Sequence, residues 1–251
     1  MRLKGRVAIV TGGSQGIGEA IARRYAAEGA SVAILNRNPG KAAEVVGAIR
    51  SDGGEATAIA ADISRVAEID RAVAEVLETY GAIDIVVNNA AAYLLSPLGG
   101  TTEEAFDVMI HTNVKAVFFL CQAVLPEFER RGRGKIINIG SIFGDGGFPG
   151  SAVYCSTKGA VTQMTRTLAL ELRERNIQVN AIAPGFVATP LNAGYRATNA
   201  EFMRRADERF GGPGVWMQPD EIAGSAVFLA SDDADSVTGA VLFVDRGWSA
   251  Y

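Results

Sequence analysis

The chain has 251 residues, of which 48% are hydrophobic and 21% charged, and a formal net charge of −4. That balance supports a sizeable core and excludes an intrinsically disordered chain, while the negative charge argues against nucleic acid as a partner. Cys121 and Cys155 belong to no CxxC or Cys/His cluster, so neither a disulfide framework nor a metal site is expected.

The N-terminal MRLKGRVAIVTGG places basic residues before the short apolar run VAIV and reads as a first strand, not a signal peptide. No apolar stretch is expected to span a membrane, so the reading is a cytoplasmic protein with no membrane partner. The first strand, residues 7–10, leads into TGGSQGIG at 11–18 and then a helix over 17–28. A glycine-rich turn there lets backbone approach a pyrophosphate, and the helix N-terminus offers unpaired N–H groups. Gly12, Gly16 and Gly18 fit the spacing GxxxGxG. A second strand, 31–35, ends in Asn36-Arg37-Asn38 and precedes a helix over 41–51. A third, 56–60, ends near Asp62 before a helix over 67–80, and a fourth, 83–87, ends in Asn88-Asn89-Ala90. Asn and Asp favour turns, so each group alone has that simpler explanation. Open α/β sheets bind ligands beyond the carboxyl ends of their strands, so together these ends favour a bound dinucleotide.

A long helix over 103–130 carries His111, the one histidine, and Asn113. The fifth strand, 135–139, runs up to Ser141. The helix over 152–175 opens with YCSTK, whose Tyr154 and Lys158 share one face at a four-residue spacing. A sixth strand, 178–182, precedes an interruption from 184 to 214 that holds PGFVATP, a helical patch with Phe202 and Met203, and FGGPG. Loops longer than about 15 residues in a compact domain are usually functional, which makes this a candidate substrate lid. A helix over 219–230 and a strand over 241–244 complete the order. Repeated strand–helix alternation implies an α/β fold, a doubly wound parallel sheet of about seven strands with helices on both faces. Nothing reads as a linker, so the expectation is a single Rossmann domain over 1–251 with the lid inserted at about 185–217.

With TGGSQGIG, NNA at 88–90, Asn113, Ser141, YCSTK and the PG at 184–185, the chain resembles the classical short-chain dehydrogenase/reductase family over essentially its whole length. The resemblance implies a nicotinamide cofactor and hydride exchange with a small alcohol or carbonyl substrate. It makes Tyr154 the general acid/base, Lys158 the holder of the nicotinamide ribose, Ser141 the hydrogen-bond donor to the substrate oxygen, and Asn113 the holder of a water linking the lysine to solvent. It places the cofactor against Gly12, Ser14, Gln15, Gly16, Ile17 and Gly18, then Asn36 and Arg37, Asp62 and Ile63, Asn89 and Ala90, Tyr154 and Lys158, and finally Pro184, Gly185, Val187 and Thr189. It also implies a homotetramer or homodimer built on the long helices and the C-terminal region. Bottom-up chemistry agrees, because hydride leaves a carbinol carbon only if a base also takes the hydroxyl proton.

Two departures stand out. Ala91 replaces the glycine of the family's NNAG, which questions the close backbone approach there. Arg246 stands in VDRG where many members read VDGG, and either meets an anionic substrate or forms an interface salt bridge; the interface is the expectation. His111 either contacts substrate or is structural, and the second is expected; Cys155 is expected to be a packed residue and not a reactive thiol. Asn36 in place of an acidic residue, followed by Arg37, favours NADP(H), with NAD(H) possible. A 3-oxoacyl-carrier-protein reductase would show the same motifs, and a non-catalytic cofactor-binding regulator is the rival of another class. The Lys158 ammonium and an oxidised nicotinamide are expected to lower the Tyr154 pKa from its usual value of about 10.

Overall fold

The computed structural model describes residues 1–208 and 216–250. Its parallel strands are β1 (Val7–Thr11), β2 (Ser31–Asn36), β3 (Glu55–Ala60), β4 (Ile85–Asn88), β5 (Gly134–Ile139), β6 (Ile177–Pro184) and β7 (Val241–Val244). They form one 7-stranded sheet in the order β3-β2-β1-β4-β5-β6-β7. Every residue of β1, β4, β5 and β6 is buried, as expected for strands covered on both faces. Strand alternation then divides the core in two. Ala8 and Val10 point into the layer under α1 (Gly16–Ala27), α2 (Pro39–Ser51) and α9 (Asp220–Ala230). Val7 and Ile9 point into the layer under α3 (Val66–Tyr80), α5 (Ala116–Arg131) and α6 (Ala152–Leu172). Tyr25, fully buried, donates its hydroxyl to the Ala226 carbonyl at 2.9 Å and ties α1 to α9.

From β1 the chain winds outward to β3, and from β4 it winds the other way to β7, so the crevice between β1 and β4 opens at their carboxyl ends. The sequence reading located all seven strands. It missed an event in the long helix. That helix is α4 (Glu103–Ile110), a π-helical turn (His111–Lys115) and then α5, with the Ala116 N–H donating to the His111 carbonyl. The wider turn carries Asn113 into the interior, 1% exposed, and leaves His111 on the surface, so His111 is not the structural histidine expected. A second correction follows from the same continuity. Across the π turn, Glu103–Arg131 is one helical run long and apolar enough, by length and composition alone, to cross a membrane. Here it packs along α3 and α6 as a wall of the domain.

After Pro184 the interruption is largely helical: a 3₁₀ turn (Pro190–Asn192), α7 (Ala193–Thr198) and α8 (Ala200–Glu208). A parallel bridge between Val187 and Met217 pins its two ends together. Phe210, Gly211, Gly212 and Gly214 of the expected lid lie outside the described residues.

Candidate active site

A cleft of about 260 Å³ runs along the carboxyl ends of the strands, and every residue expected to hold the cofactor, except Gly18, lines it. Gly18 acts underneath: a Cβ there would lie 2.3 Å from Asn89 Nδ2 and 2.5 Å from the Gly12 carbonyl. Gly12 is left-handed, at φ +64°, and a Cβ on it would press on Ala90 at 3.0 Å. These glycines let the turn, α1 and the end of β4 close on one another. Thr11 then locks them. Its hydroxyl accepts the N–H groups of Asn89 (2.9 Å) and Ala90 (3.0 Å), while Asn89 Nδ2 donates to the Thr11 carbonyl (2.9 Å). Asn88, expected at the crevice, instead points into the core, where it donates to Asn138 Oδ1 at 2.9 Å. Successive strand residues face opposite ways, so only Asn89 reaches the glycine turn.

The N-terminus of α1 has no side-chain cap, and Gln15 stands before it in extended backbone. Its N–H groups and positive dipole end therefore face the cleft. Asn36 Nδ2 donates to Ser14 Oγ at 2.6 Å, joining the end of β2 to the turn, and Arg37 lies exposed at the cleft rim. Asp62 carries opposing influences: burial raises its pKa, but hydrogen bonds from Ser64 and the charges of Arg37 and Arg65 outweigh it and hold it below the usual value. Ala91 lines the cleft with no left-handed backbone, so alanine replaces the family's glycine without strain.

At the other end, Ser141 follows β5 and caps a short 3₁₀ turn, its Oγ accepting the Phe143 N–H at 3.1 Å. Tyr154 and Lys158 rise from the first turns of α6. Lys158 is 3% exposed, donates to the Ile139 carbonyl at 2.7 Å, and lies 5.6 Å from the centre of the Tyr154 ring. Burial pushes the Lys158 pKa down to about 8. The phenol behaves otherwise than expected: burial first, then the neighbouring Tyr93, push Tyr154 well above 10, and a hydrogen bond with Ser141 only partly offsets this. The protein's own groups thus hold Tyr154 protonated, and any lowering must come from the cofactor's charge. Asn113 Oδ1 accepts the Ala92 N–H at 2.8 Å, and its Nδ2 donates to the Ala92 carbonyl (2.9 Å) and Thr157 Oγ1 (3.1 Å). Both Nδ2 hydrogens are thereby engaged, and the side chain ties the segment after NNA to α6, at Thr157 next to Lys158.

Sequence reasoning missed a second chamber, of about 70 Å³, that shares Ser141 and Tyr154 with the cleft. Its aromatic walls come from distant segments: Tyr93 meets the Tyr154 ring edge-on at 4.7 Å, and Phe143 meets it at 6.4 Å. Phe186 and Phe202 close the far side, with Trp216 packed against both at 5.3 and 6.0 Å. Cys155 belongs to this cluster, and burial raises its thiol pKa, in keeping with a packed residue. Arg246 pairs within its own chain, both Glu221 oxygens lying within 3.1 Å of its Nη2. It adopts φ +55°, a left-handed position in which the family's glycine is unstrained.

A cleft along the strand ends that meets an aromatic-walled, half-open chamber at a phenol and a hydroxyl fits an oxidoreductase moving hydride between a nicotinamide cofactor and an alcohol or carbonyl. The family model described as short chain dehydrogenase matches residues 6–200. A 3β-hydroxysteroid dehydrogenase of Eggerthella lenta is 40% identical over 251 residues, covering 99% of this chain and 95% of that one. A 3-oxoacyl-carrier-protein reductase of Thermotoga maritima is 36% identical over 249 residues, 98% of this chain and 99% of that one. The crystal structure of a gluconate 5-dehydrogenase from Burkholderia cenocepacia, in complex with NADP and tartrate, superposes with a TM-score of 0.93 at 37% identity, covering 100% of this chain and 97% of that one. The protein belongs to the short-chain dehydrogenase/reductase family.

Proposed function

We propose that the protein is an alcohol dehydrogenase or carbonyl reductase that prefers NADP(H), with Tyr154 as its general acid/base. The observation that carries this is the position of Tyr154 and Ser141 at the seam where the dinucleotide cleft meets the chamber. The cleft fits the cofactor on its own geometry. The uncapped start of α1, closed onto the end of β4 through Gly12 and Gly18, offers free N–H groups to a pyrophosphate. Asn36 leaves the end of β2 without the carboxylate that would repel a ribose 2′-phosphate, and Arg37 beside it supplies a guanidinium to pair with one. Lys158 would hold the nicotinamide ribose. The NADP in the Burkholderia relative supports this choice.

When bound, the cofactor supplies or accepts the hydride. In reduction the protonated Tyr154 gives its proton to the substrate oxygen, while the Ser141 hydroxyl donates to that oxygen as charge develops. In oxidation Tyr154 takes the proton, which requires its pKa to fall under the positive charge of the oxidised nicotinamide. A regulator without turnover would have no need to place Ser141, Tyr154 and Lys158 together at this seam. A 3-oxoacyl-carrier-protein reductase would use the same three residues, and the relative of that name supports it as the second reading.

Two further proposals concern the surroundings. The segment from Thr189 through α8 acts as a substrate lid, since α8 contributes Phe202 to the chamber wall. Assembly into dimers or tetramers uses the outer face of α4, α5 and α6, where Phe106, Val108, Phe118 and Leu170 are exposed. The test of function is a panel of ketones, alcohols and an acetoacetyl thioester with both reduced and oxidised cofactors, followed by nicotinamide absorbance. Turnover of simple ketones or alcohols, faster with the phosphorylated cofactor, is expected. Turnover confined to the thioester would select the second reading, and no turnover of any member would overturn both.

A further inference from the structure

The chamber beside Tyr154 carries more information than its position. Its wall is formed mainly by Tyr93, Phe143, Phe186, Leu191 and Phe202, and among the described residues no charged side chain lines it. Phe143, Phe186 and Phe202 are each at most 7% exposed and interlock edge to face, so the wall is a packed element of the fold and not a collapsed loop.

Among the described residues the polar side chains near it are committed elsewhere, with one exception. The Trp216 indole N–H is buried without a hydrogen-bond partner behind the wall and does not line the chamber. Asn192 donates through Nδ2 to the Val187 carbonyl, and its Oδ1 accepts from the Thr189 N–H and from Arg196 Nε. Arg196, a cation on the lid helix α7, is held by that bond and lies over the Trp216 ring at 5.4 Å. The Tyr93 hydroxyl is paired with Ser151 Oγ at 3.1 Å. Among the described residues, that leaves Ser141 and Tyr154 as the hydrogen-bonding pair presented to a ligand. A ligand that fits therefore has one oxygen for this pair and an otherwise apolar body for the rings. Among the described lining residues a carboxylate would find no cation, and each additional hydroxyl would lose water without a replacement partner.

We propose that the chamber selects uncharged substrates whose single reacting hydroxyl or carbonyl is carried on a compact carbocyclic or aryl ring, and rejects sugar acids. This rests on the assignment of Ser141 and Tyr154 as the site of the substrate oxygen. Flat edges and faces of a ring match edge-to-face aromatic walls better than a flexible polyhydroxylated chain does. The ring also has less conformational freedom to lose on binding.

The test separates binding from turnover. Cyclohexanone, acetophenone and ketogluconate are titrated by calorimetry into the protein saturated with oxidised cofactor, where a ketone cannot accept a hydride. The same ketones are then assayed for kcat/KM with the reduced cofactor. The ring ketones are expected to bind at least about tenfold more tightly than the keto acid, in line with what unpaired polar groups cost at a binding site. Leu191→Arg places a cation at the wall on a residue already 41% exposed, so the fold should tolerate it. That variant should raise keto-acid affinity relative to the ring ketones about tenfold, one charge-assisted hydrogen bond's worth. Ketogluconate binding to the wild type as tightly as the rings, or the absence of ring-ketone binding, would overturn the proposal. Ring ketones that bind in the expected order but are not reduced would overturn the proposed function while upholding the selectivity of the chamber.

Discussion

Thr11 is the residue whose removal most cleanly tests how the cofactor end is held together. Thr11→Val keeps the shape of the side chain and deletes only the hydroxyl, in a residue 1% exposed. The lost oxygen accepts two backbone N–H groups, from Asn89 and Ala90, at 2.9 and 3.0 Å. An unsatisfied buried donor costs about 1–3 kcal/mol. Both acceptor bonds are only part-buried, so water can partly replace them, and the lower end of that range applies to each. A total near 2 kcal/mol would lower the melting temperature by about 4–8 °C in a chain of this size. Released from Thr11, Asn89 and Ala90 should also present a less ordered wall to the cofactor, weakening its binding about three- to tenfold. Calorimetric melting and cofactor titration of the two proteins give both numbers. A variant that melts within a degree of the wild type and binds cofactor equally well would refute the role given to this lock.

Arg37→Ala should reduce the ratio of kcat/KM for NADPH over NADH about tenfold or more, as expected for one lost charge-assisted contact; an unchanged ratio would remove Arg37 from cofactor choice. Lys158 makes a signed prediction about pH. Its folded pKa, about 8, lies below the value of about 10.4 expected when unfolded, so the unfolded chain binds more protons between the two. Wild-type stability should therefore rise relative to Lys158→Met as pH climbs from about 8 to 10, by about 1–3 kcal/mol, and denaturant unfolding at several pH values would read it. A difference that stays flat across that window would mean the lysine is not desolvated as described. Hydrogen exchange with cofactor and a ring ketone should show protection gained from Leu191 through α8, and equal protection with and without ligand would remove the lid.

Much of this site was legible in the sequence because its reactive groups are close neighbours along the chain or follow strand ends. The glycine turn after β1 and the four-residue step from Tyr154 to Lys158 need only local geometry to be read. Strand alternation alone could have separated Asn89, which faces the turn, from Asn88, which faces the core. The π turn left no such mark, since one wider loop within a helix scarcely disturbs an apolar period. The chamber was hidden for a different reason. Tyr93, Phe143 and Phe186 come after β4, β5 and β6, Phe202 lies in α8, and they meet only because the doubly wound order brings those strand ends together beneath that helix. Sequence showed an ammonium near Tyr154 but not the depth of burial, and burial is the larger influence on the phenol. The left-handed backbone at Arg246 was likewise invisible, although glycine at that place in relatives was a hint of it.

The central claim is that Tyr154 moves the proton that accompanies the hydride. Tyr154→Phe keeps the ring against Tyr93 and Phe143 and removes only the hydroxyl, so fold and cofactor affinity should change little. Measured with reduced cofactor and a ring ketone, kcat should fall by about 10²–10⁴, the range for loss of a general acid. A variant that keeps its activity within a few-fold of the wild type, with the same dependence on pH, would contradict the account.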